Sequence, residues 1–467
     1  MFARAWAWLR TRPPAAVLAF GFALSFIYGY PGMMTQDSFD ILVDARSGIY
    51  TDAHPPFNAW LWHQFDRFIP GGVTLLVLQL LMLQLGLYLL MRRAASPRKA
   101  AWFAVAVALW PPIAAPMGVI WKDCMMAGFL VLGTALLFAE RRRFRIIGLL
   151  LLAAATAARY NAAAATLPLV VLLFQWSPDL TRVRRYALSV GAWIAITFAA
   201  FSFNRLLVDR HMYFWHSTLA VYDIAGTLAN VDENIPDVEM EKLLEGTGIL
   251  EHKDIQQRMR ELYSPRDYID LILTTSTSPM WNMPLYGPEP VSAPVRAAVE
   301  RSWNETIRTY PLAYAKHRML VMQELLCLGK EFTPPLAVPI RAQIDSKIAH
   351  NLELDRGWSR VQYRMTHALQ AILHTLPVFA PWIYLLLSLA CLWIARRHPD
   401  VLALLISGIL MEGTLVVFAM SSDYRYSHWM IITTTISLVI LAIRRARGQE
   451  RVAPTTQQTS ASHASAQ

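Results

Sequence analysis

The chain has 467 residues, of which 55% are hydrophobic and only 16% are charged. A soluble domain of this length has too little interior to bury so many apolar side chains, so the composition indicates an integral membrane protein. The formal net charge is +10, but the basic residues cluster at the ends of apolar runs, which argues against a nucleic-acid partner. The three cysteines are scattered and offer neither a disulfide framework nor metal-ligand spacing.

Ten apolar stretches predict an all-α polytopic bundle of about ten transmembrane helices. In chain order they cover residues 15–30, 73–91, 101–117, 125–139, 146–158, 162–175, 187–203, 376–395, 401–420 and 430–443. Several are shorter than the roughly 20 residues of a full crossing. The first stretch could instead be a cleaved signal peptide, but Tyr30-Pro31-Gly32 lacks the small-residue cleavage pattern. The hairpin 146–175 either crosses twice or is re-entrant.

The orientation of the bundle follows from Lys and Arg in the short connections. One side holds 20 of them and the opposite side holds five. Because positively charged loops stay in the cytoplasm, this asymmetry places both termini there. The N-terminal segment 1–14 and the tail 444–467 are therefore predicted to be cytoplasmic, and the Ser-, Thr- and Gln-rich tail is predicted to be disordered.

Two longer segments lie on the opposite, outer side of the predicted membrane. The first outer loop, 31–72, lies within the region of helices one to seven, 15–203. The second, 204–375, precedes helices eight to ten, 376–443. It carries 21 of the 33 acidic residues, which predicts a solvated, mostly helical domain outside the membrane.

Most of the unusual polar residues fall in these outer connections. They are Asp37, Ser38, Asp52, His54, Lys122, Asp123, Arg159, Asn161, Arg425 and Tyr426. Ionisable groups at a membrane boundary are costly, so a set on one side indicates a site. A carboxylate can act as a general base toward a hydroxyl, and Lys or Arg can hold a phosphate and stabilise its developing charge.

Several of these residues also have an ordinary structural explanation, and Arg159 has the weakest one because a short hairpin gains nothing from a charge at its tip. Asp37 could be a solvated loop residue, and Lys122 with Asp123 could form a local ion pair of little energetic value. His54 precedes two prolines and could serve only a turn, and Arg425 lies between tyrosines, as an interface anchor would. The shared side of the membrane is what favours a functional site.

The order of short motifs along the chain resembles the bacterial polytopic glycosyltransferases of the GT-C superfamily. The motifs are Tyr30-Pro31-Gly32, Asp37-Ser38, His54-Pro55-Pro56, Lys122-Asp123, Arg159-x-Asn161 and Arg425-Tyr426. The resemblance implies transfer of a sugar from a polyprenyl-phosphate donor to a glycan, lipid or protein acceptor of the cell envelope. It implies reaction at the periplasmic face of a multi-pass protein of the bacterial inner membrane.

The resemblance also implies roles for individual residues. The first-loop carboxylate Asp37 would be the base or a metal ligand, with His54 as its catalytic partner. The donor phosphate would bind Lys122, Arg159 and Arg425, supported by Ser38, Asp52, Asp123, Asn161 and Tyr426. A divalent ion, Mg²⁺ or Mn²⁺, usually takes more than one carboxylate. Many members of the superfamily have two adjacent acidic residues here, whereas Asp37 is followed by Ser38, so Asp40, Asp44 or Asp52 would supply the second ligand.

Two other functions fit the same composition. A transporter or flippase of lipid-linked saccharides would place charges on broken helices near the midplane and often shows repeat symmetry, whereas these stretches are mostly free of charge and show no repeat. A polysaccharide polymerase or ligase would use similar outer basic residues and a large outer loop. The Asp37-Ser38 and His54-Pro55-Pro56 motifs favour the transferase.

Overall fold

A computed structural model describes residues 12–177, 179–249, 254–272, 291–329, 338 and 359–452. Within these ranges the chain is helical and has no strand beyond two isolated bridges, which confirms the predicted all-α class. The first ten helices are α1 (Pro14–Gly29), α2 (Gln36–Ser47), α3 (Pro56–Asp66), α4 (Val73–Arg92), α5 (Pro97–Ala108), α6 (Pro111–Met117), α7 (Lys122–Leu137), α8 (Arg142–Ala158), α9 (Ala162–Leu173) and α10 (Arg182–Leu207).

The second half begins with one π-helical turn, Trp215–Leu219, that runs directly into α11. Its helices are α11 (Ala220–Ala229), α12 (Asp237–Leu244), α13 (Ile255–Leu262), α14 (Ile269–Ile272), α15 (Ala293–Thr309), α16 (Pro311–Leu325), α17 (Arg360–Thr375), α18 (Pro381–Ala395), α19 (Pro399–Phe418) and α20 (His428–Val452). Since α20 continues to Val452, the predicted disorder of 444–467 is wrong up to that residue, and 453–467 lie outside the described residues.

Four described helical stretches are long and apolar enough to cross a membrane. They are α4, α10, α19 and Tyr424–Arg447, which includes most of α20. A fifth results if α5 and α6 form one bent span, and three shorter apolar helices are α1, α9 and α18. This pattern is compatible with a membrane protein of several spans, and the count of ten stays a prediction.

The predicted continuous helix 101–117 is wrong. Helices α5 and α6 meet at 69° across a short break, and α6 begins at Pro111. Pro111 and Pro112 lack the amide hydrogens that would continue α5, and proline disfavours a helical conformation in the residue before it. After the break, α6 packs against α1, α17 and α20.

Close helix contacts in the bundle depend on small residues. A Cβ atom on Gly148 of α8 would lie 2.8 Å from the carbonyl oxygen of Gly133 in α7. The two backbones can therefore touch only where both residues lack side chains, as is common for membrane helices. Helix α7 also packs against α4, and α9, α19 and α20 pack in sequence beside them.

Both segments predicted to lie outside the membrane contain helices. The first outer connection, 31–72, contains two helices, α2 and α3, that pack against each other. In the segment 204–375, helices α11 to α16 surround a separate apolar core, but α17 does not belong to it. Helix α17 packs against α1 and α6 in the bundle, where Gln362 Nε2 donates to the Tyr28 carbonyl oxygen at 3.2 Å.

A buried ion pair joins the outer core to the bundle. Arg318 of α16 contacts Asp223 of α11 and donates to the Ala419 carbonyl oxygen at 2.7 Å, just after α19. Asp223 also accepts a hydrogen bond from Trp303 Nε1 at 3.0 Å. This pair fixes the outer helices relative to the end of α19.

We expect Arg318→Met to lower the unfolding temperature of the detergent-solubilised protein markedly. The substitution leaves the Asp223 carboxylate buried without its cation, which typically costs about 3–5 kcal/mol. The matched control is Lys316→Met, because Lys316 pairs with Asp232, whose side chain is exposed to solvent. Equal unfolding temperatures for the two variants would contradict the assigned role.

Candidate functional site

The start of α2 is fixed against the turn that precedes α7. The side chains of Thr35 and Ser38 form a reciprocal capping box, which satisfies free amides at the helix N-terminus. Ser38 Oγ also donates to the Ile120 carbonyl oxygen at 2.8 Å, and Trp121 Nε1 donates to Thr35 Oγ1 at 2.8 Å. Asp37 in the first turn of α2 is thereby held beside the first residue of α7.

Four of the predicted site residues are brought into direct contact. Asp37 Oδ2 lies 2.8 Å from Arg425 Nη1 and 3.5 Å from Lys122 Nζ. The Lys122 ammonium in turn donates to His54 Nδ1 at 3.1 Å. Residues from the first outer loop, the start of α7 and the turn before α20 therefore form one polar cluster.

Arg159 joins this cluster through the ring of Tyr426. Its guanidinium lies 4.5 Å from the ring centroid, and that of Arg425 lies 5.5 Å from the same centroid. Arg159 also pairs with the buried Asp123, and its Nε donates to Asn161 Oδ1 at 3.0 Å. The two arginines are thus held together by a shared aromatic ring, an arrangement stabilised by cation–π attraction.

A short 3₁₀ turn, Tyr424–Ser427, positions Arg425. The Tyr424 hydroxyl donates to the Pro112 carbonyl oxygen of α6 at 3.0 Å. Arg425 itself is buried, and its Nη2 contacts Asp423 Oδ2 at 2.8 Å. This hydrogen bond fixes the turn to the backbone of α6. The bend between α5 and α6, which positions α6, therefore also helps to position Arg425.

Asp52 lies apart from the cluster. Its carboxylate contacts His211 Nδ1 at 2.8 Å and accepts the amide of Met212 at 2.5 Å. These bonds connect the first outer connection to the residues after α10. Asp52 therefore does not support Asp37 in this structure.

The Asp37 environment does not fit a divalent ion. Asp40 accepts a hydrogen bond from Gln36 at 2.8 Å, and Asp44 accepts from the Thr51 hydroxyl at 2.7 Å. Among the described residues, no three His, Cys, Asp or Glu side chains group as metal ligands. Two cations already surround Asp37, and they would repel a metal ion, so we derive no step through one.

The charges around Asp37 set its protonation. Burial would raise the pKa of its carboxyl group, but Arg425 and Lys122 outweigh that effect and hold the pKa well below its usual range. In contrast, burial raises the pKa of Asp40, one turn further along α2, to about 6. Asp37 is therefore fully ionised at neutral pH and remains a weak base while both cations contact it.

His54 is a neutral hydrogen-bond acceptor in this arrangement. Burial and the neighbouring Lys122 ammonium lower the pKa of His54 to about 3. Because Lys122 can only donate, Nδ1 must accept, and the ring proton then resides on Nε2. This geometry suits a residue that positions Lys122 rather than the catalytic partner that the sequence suggests.

We expect His54→Asn to reduce the loss of stability in acid. The pKa of His54 is about 6.5 in the unfolded chain and about 3 in the folded chain. Lowering the pH through this window therefore favours unfolding. Unfolding temperatures at pH 7.5 and pH 5 should differ less in His54→Asn than in the original protein, and an unchanged difference would contradict the assignment.

One buried carboxylate near the cluster is not among the predicted site residues. Glu412 lies in α19 and is buried, and its Oε1 accepts a hydrogen bond from Ser427 at 2.8 Å. It is the only charged residue of the apolar stretch 401–420. A lone carboxylate within a predicted span is itself a functional signal, so the sequence contained the information that would have identified it.

A small apolar depression lies beside Lys122. It is lined mainly by side chains from α2, α3, α4 and α7, with Lys122 at its polar edge. The apolar lining includes Ile41, Leu61, Trp62, Leu75, Ile120 and Met125. An apolar depression next to a cation suits an amphiphilic molecule with an anionic head group.

No protein-family model matches the chain, and neither a curated protein nor a solved structure is significantly similar to it. The chemistry must therefore be inferred from the cluster itself. It combines one partly exposed carboxylate with cations that can bind phosphate oxygens in a fork geometry or as a point charge. Such a set can hold a phosphate and accept a proton close to it.

Proposed function

We propose that the chain is a membrane glycosyltransferase of the GT-C type. It transfers a sugar from a polyprenyl-phosphate donor to a cell-envelope acceptor at the periplasmic face of the bacterial inner membrane. The proposal includes the predicted topology of about ten spans, both termini in the cytoplasm and the helices α11 to α16 in the periplasm.

The observation that carries this proposal is the contact of Asp37 with both Arg425 and Lys122. These three residues come from connections far apart in the sequence, and all lie on the side predicted to face the periplasm. An acid between two cations, beside an apolar depression, suits a substrate with a lipid tail and a phosphate. The short motifs that resemble the superfamily coincide with the same residues.

The proposed roles follow from the charges. Arg425 and Lys122 bind the donor phosphate and stabilise the negative charge that develops as it leaves. Arg159 lies beside Arg425 through its stacking on Tyr426. Asp37 accepts the proton of the attacking hydroxyl, and His54 positions Lys122 through its hydrogen bond.

The test is mass spectrometry of cell-envelope glycans from cells with and without the gene. We expect one sugar substituent to disappear without the gene and to return with the original protein but not with Asp37→Asn. A matched control is Asp66→Asn, because Asp66 also pairs with an arginine, Arg46, in the first outer connection. Identical glycans with and without the gene would contradict the proposal.

A second candidate, a transporter of lipid-linked saccharides, is favoured by Glu412. Ionisable residues inside membrane helices often belong to substrate or proton pathways. The two functions differ in a reconstituted system, because a transporter moves the lipid-linked sugar across proteoliposomes without forming a new glycosidic bond. Flux without transfer, abolished by Glu412→Gln, would favour transport over transfer.

A further inference from the structure

Every cation of the proposed phosphate site already contacts a carboxylate. Within the described residues, Arg159 pairs with Asp123, and Arg425 pairs with both Asp37 and Asp423. Lys122 also contacts Asp37. The three cations and three carboxylates sum to zero charge, so a phosphate cannot simply enter a positive pocket and must replace one of the anions.

Asp37 is the carboxylate most easily replaced. Its side chain is 29% exposed, compared with 14% for Asp423 and 1% for Asp123. It is also the only one of the three that contacts two of the cations, Arg425 and Lys122. An anion placed between those two cations would occupy the position that the Asp37 carboxylate holds now.

Nothing rigid prevents the Asp37 carboxylate from leaving. Its backbone is fixed by the capping box at the start of α2, but among the residues that the structure describes the side chain is held only by its two ion pairs. When a phosphate takes over both cations, rotation of the side chain moves the carboxylate toward the exposed side. The neighbouring Asp40 accepts a hydrogen bond from Gln36.

We propose that the Asp37 carboxylate occupies the binding position of the donor phosphate between Arg425 and Lys122, and that binding of a prenyl phosphate displaces it. This inference rests on the proposed function, and it sets the order of events. Without donor, the two cations engage the carboxylate and hinder its action as a base. With donor bound, the released carboxylate accepts a proton and the cations stabilise the leaving phosphate.

The bond changes balance without any further reactant. The O–H bond of the acceptor breaks and its proton passes to Asp37, while the acceptor oxygen forms a bond to the anomeric carbon of the sugar. The bond between that carbon and the phosphate oxygen breaks, and its electron pair leaves with the prenyl phosphate on Arg425 and Lys122. The acceptor is therefore activated only after the donor has bound.

The test compares the affinity of a ten-carbon prenyl phosphate for the purified protein and for Asp37→Asn. If the carboxylate occupies the site at least nine-tenths of the time, its removal tightens binding about tenfold or more, because apparent affinity scales with the competent fraction. Asp66→Asn is the matched control and should leave the affinity unchanged. Arg425→Gln should weaken binding, alone and combined with Asp37→Asn.

Inorganic phosphate provides a second arm of the same experiment. Tighter binding of prenyl phosphate but not of inorganic phosphate in Asp37→Asn supports displacement by a lipid head group. Equal tightening for both supports displacement by any phosphate. Unchanged or weaker binding in Asp37→Asn overturns the inference.

Failure of the displacement and failure of the transferase proposal give different results. If Asp37→Asn binds prenyl phosphate more tightly but the protein transfers no sugar, the displacement is supported and the transferase proposal is contradicted. If the protein transfers sugar but Asp37→Asn binds prenyl phosphate no more tightly, the transferase proposal is supported and the displacement is contradicted.

Discussion

Asp37→Asn is expected to lower the rate of sugar transfer by about 10²–10⁴-fold, the usual contribution of a general base. The amide has the same shape as the carboxylate, but it cannot accept the proton of the acceptor hydroxyl. The measurement is the initial rate of transfer from a polyprenyl-phosphate-linked sugar by protein in nanodiscs.

Stability is the necessary control for that variant. Removing one member of a fully buried ion pair costs about 3–5 kcal/mol, but Asp37 is partly exposed and Arg425 keeps Asp423 as a second partner. We therefore expect Asp37→Asn to insert and fold normally. Retained transfer in a folded Asp37→Asn variant, at the rate of Asp66→Asn, would remove Asp37 from the mechanism.

Arg425→Gln is expected to lower the transfer rate by about 10²–10³-fold, comparable to the loss of one donor that stabilises a developing charge. Arg425 is the cation closest to Asp37 and is buried, so its loss removes the main partner of the phosphate. Arg425→Lys should be intermediate, since lysine keeps the charge but cannot contact Asp37 and Asp423 with a planar fork.

The same variant should change the pH dependence of transfer. Arg425 helps to keep the pKa of Asp37 low, so its removal raises that pKa. At low donor concentration, where the rate reports the donor-free protein, the remaining activity should then fall as the pH drops through the raised pKa, because protonated Asp37 cannot act as a base. The matched control is Arg46→Gln, which removes the arginine of the other Asp–Arg pair in this region. An Arg425→Gln profile identical to that of the control would contradict the assigned charge coupling.

The sequence allowed the all-α class and the contacts of the main cluster to be anticipated for one physical reason. The asymmetry of Lys and Arg predicts a side of the membrane for each connection. Residues on the same side of a small helical bundle are necessarily close to one another. Asp37, Lys122 and Arg425 could therefore be expected to meet, although 303 residues separate Lys122 from Arg425.

Features that depend on packing between distant segments could not be read in this way. The partners of His54 and Asp52 follow from how the first outer connection folds, and its two helices contain no long apolar run to reveal them. The bend between α5 and α6 was readable from Pro111-Pro112, but hydropathy averaged over a window conceals such a break. Glu412 was concealed for the same reason, as one carboxylate in a strongly apolar stretch.

The claim on which the account depends is that one phosphate site lies between Arg425 and Lys122. Its most direct test is a cryo-EM structure of the protein with a prenyl phosphonate that carries a sugar and cannot be cleaved. We expect the phosphonate within hydrogen-bond distance of both cations, the prenyl chain against the apolar residues beside Lys122, and the Asp37 carboxylate turned away from Arg425. A phosphonate bound elsewhere, with the Asp37–Arg425 contact intact, would contradict it.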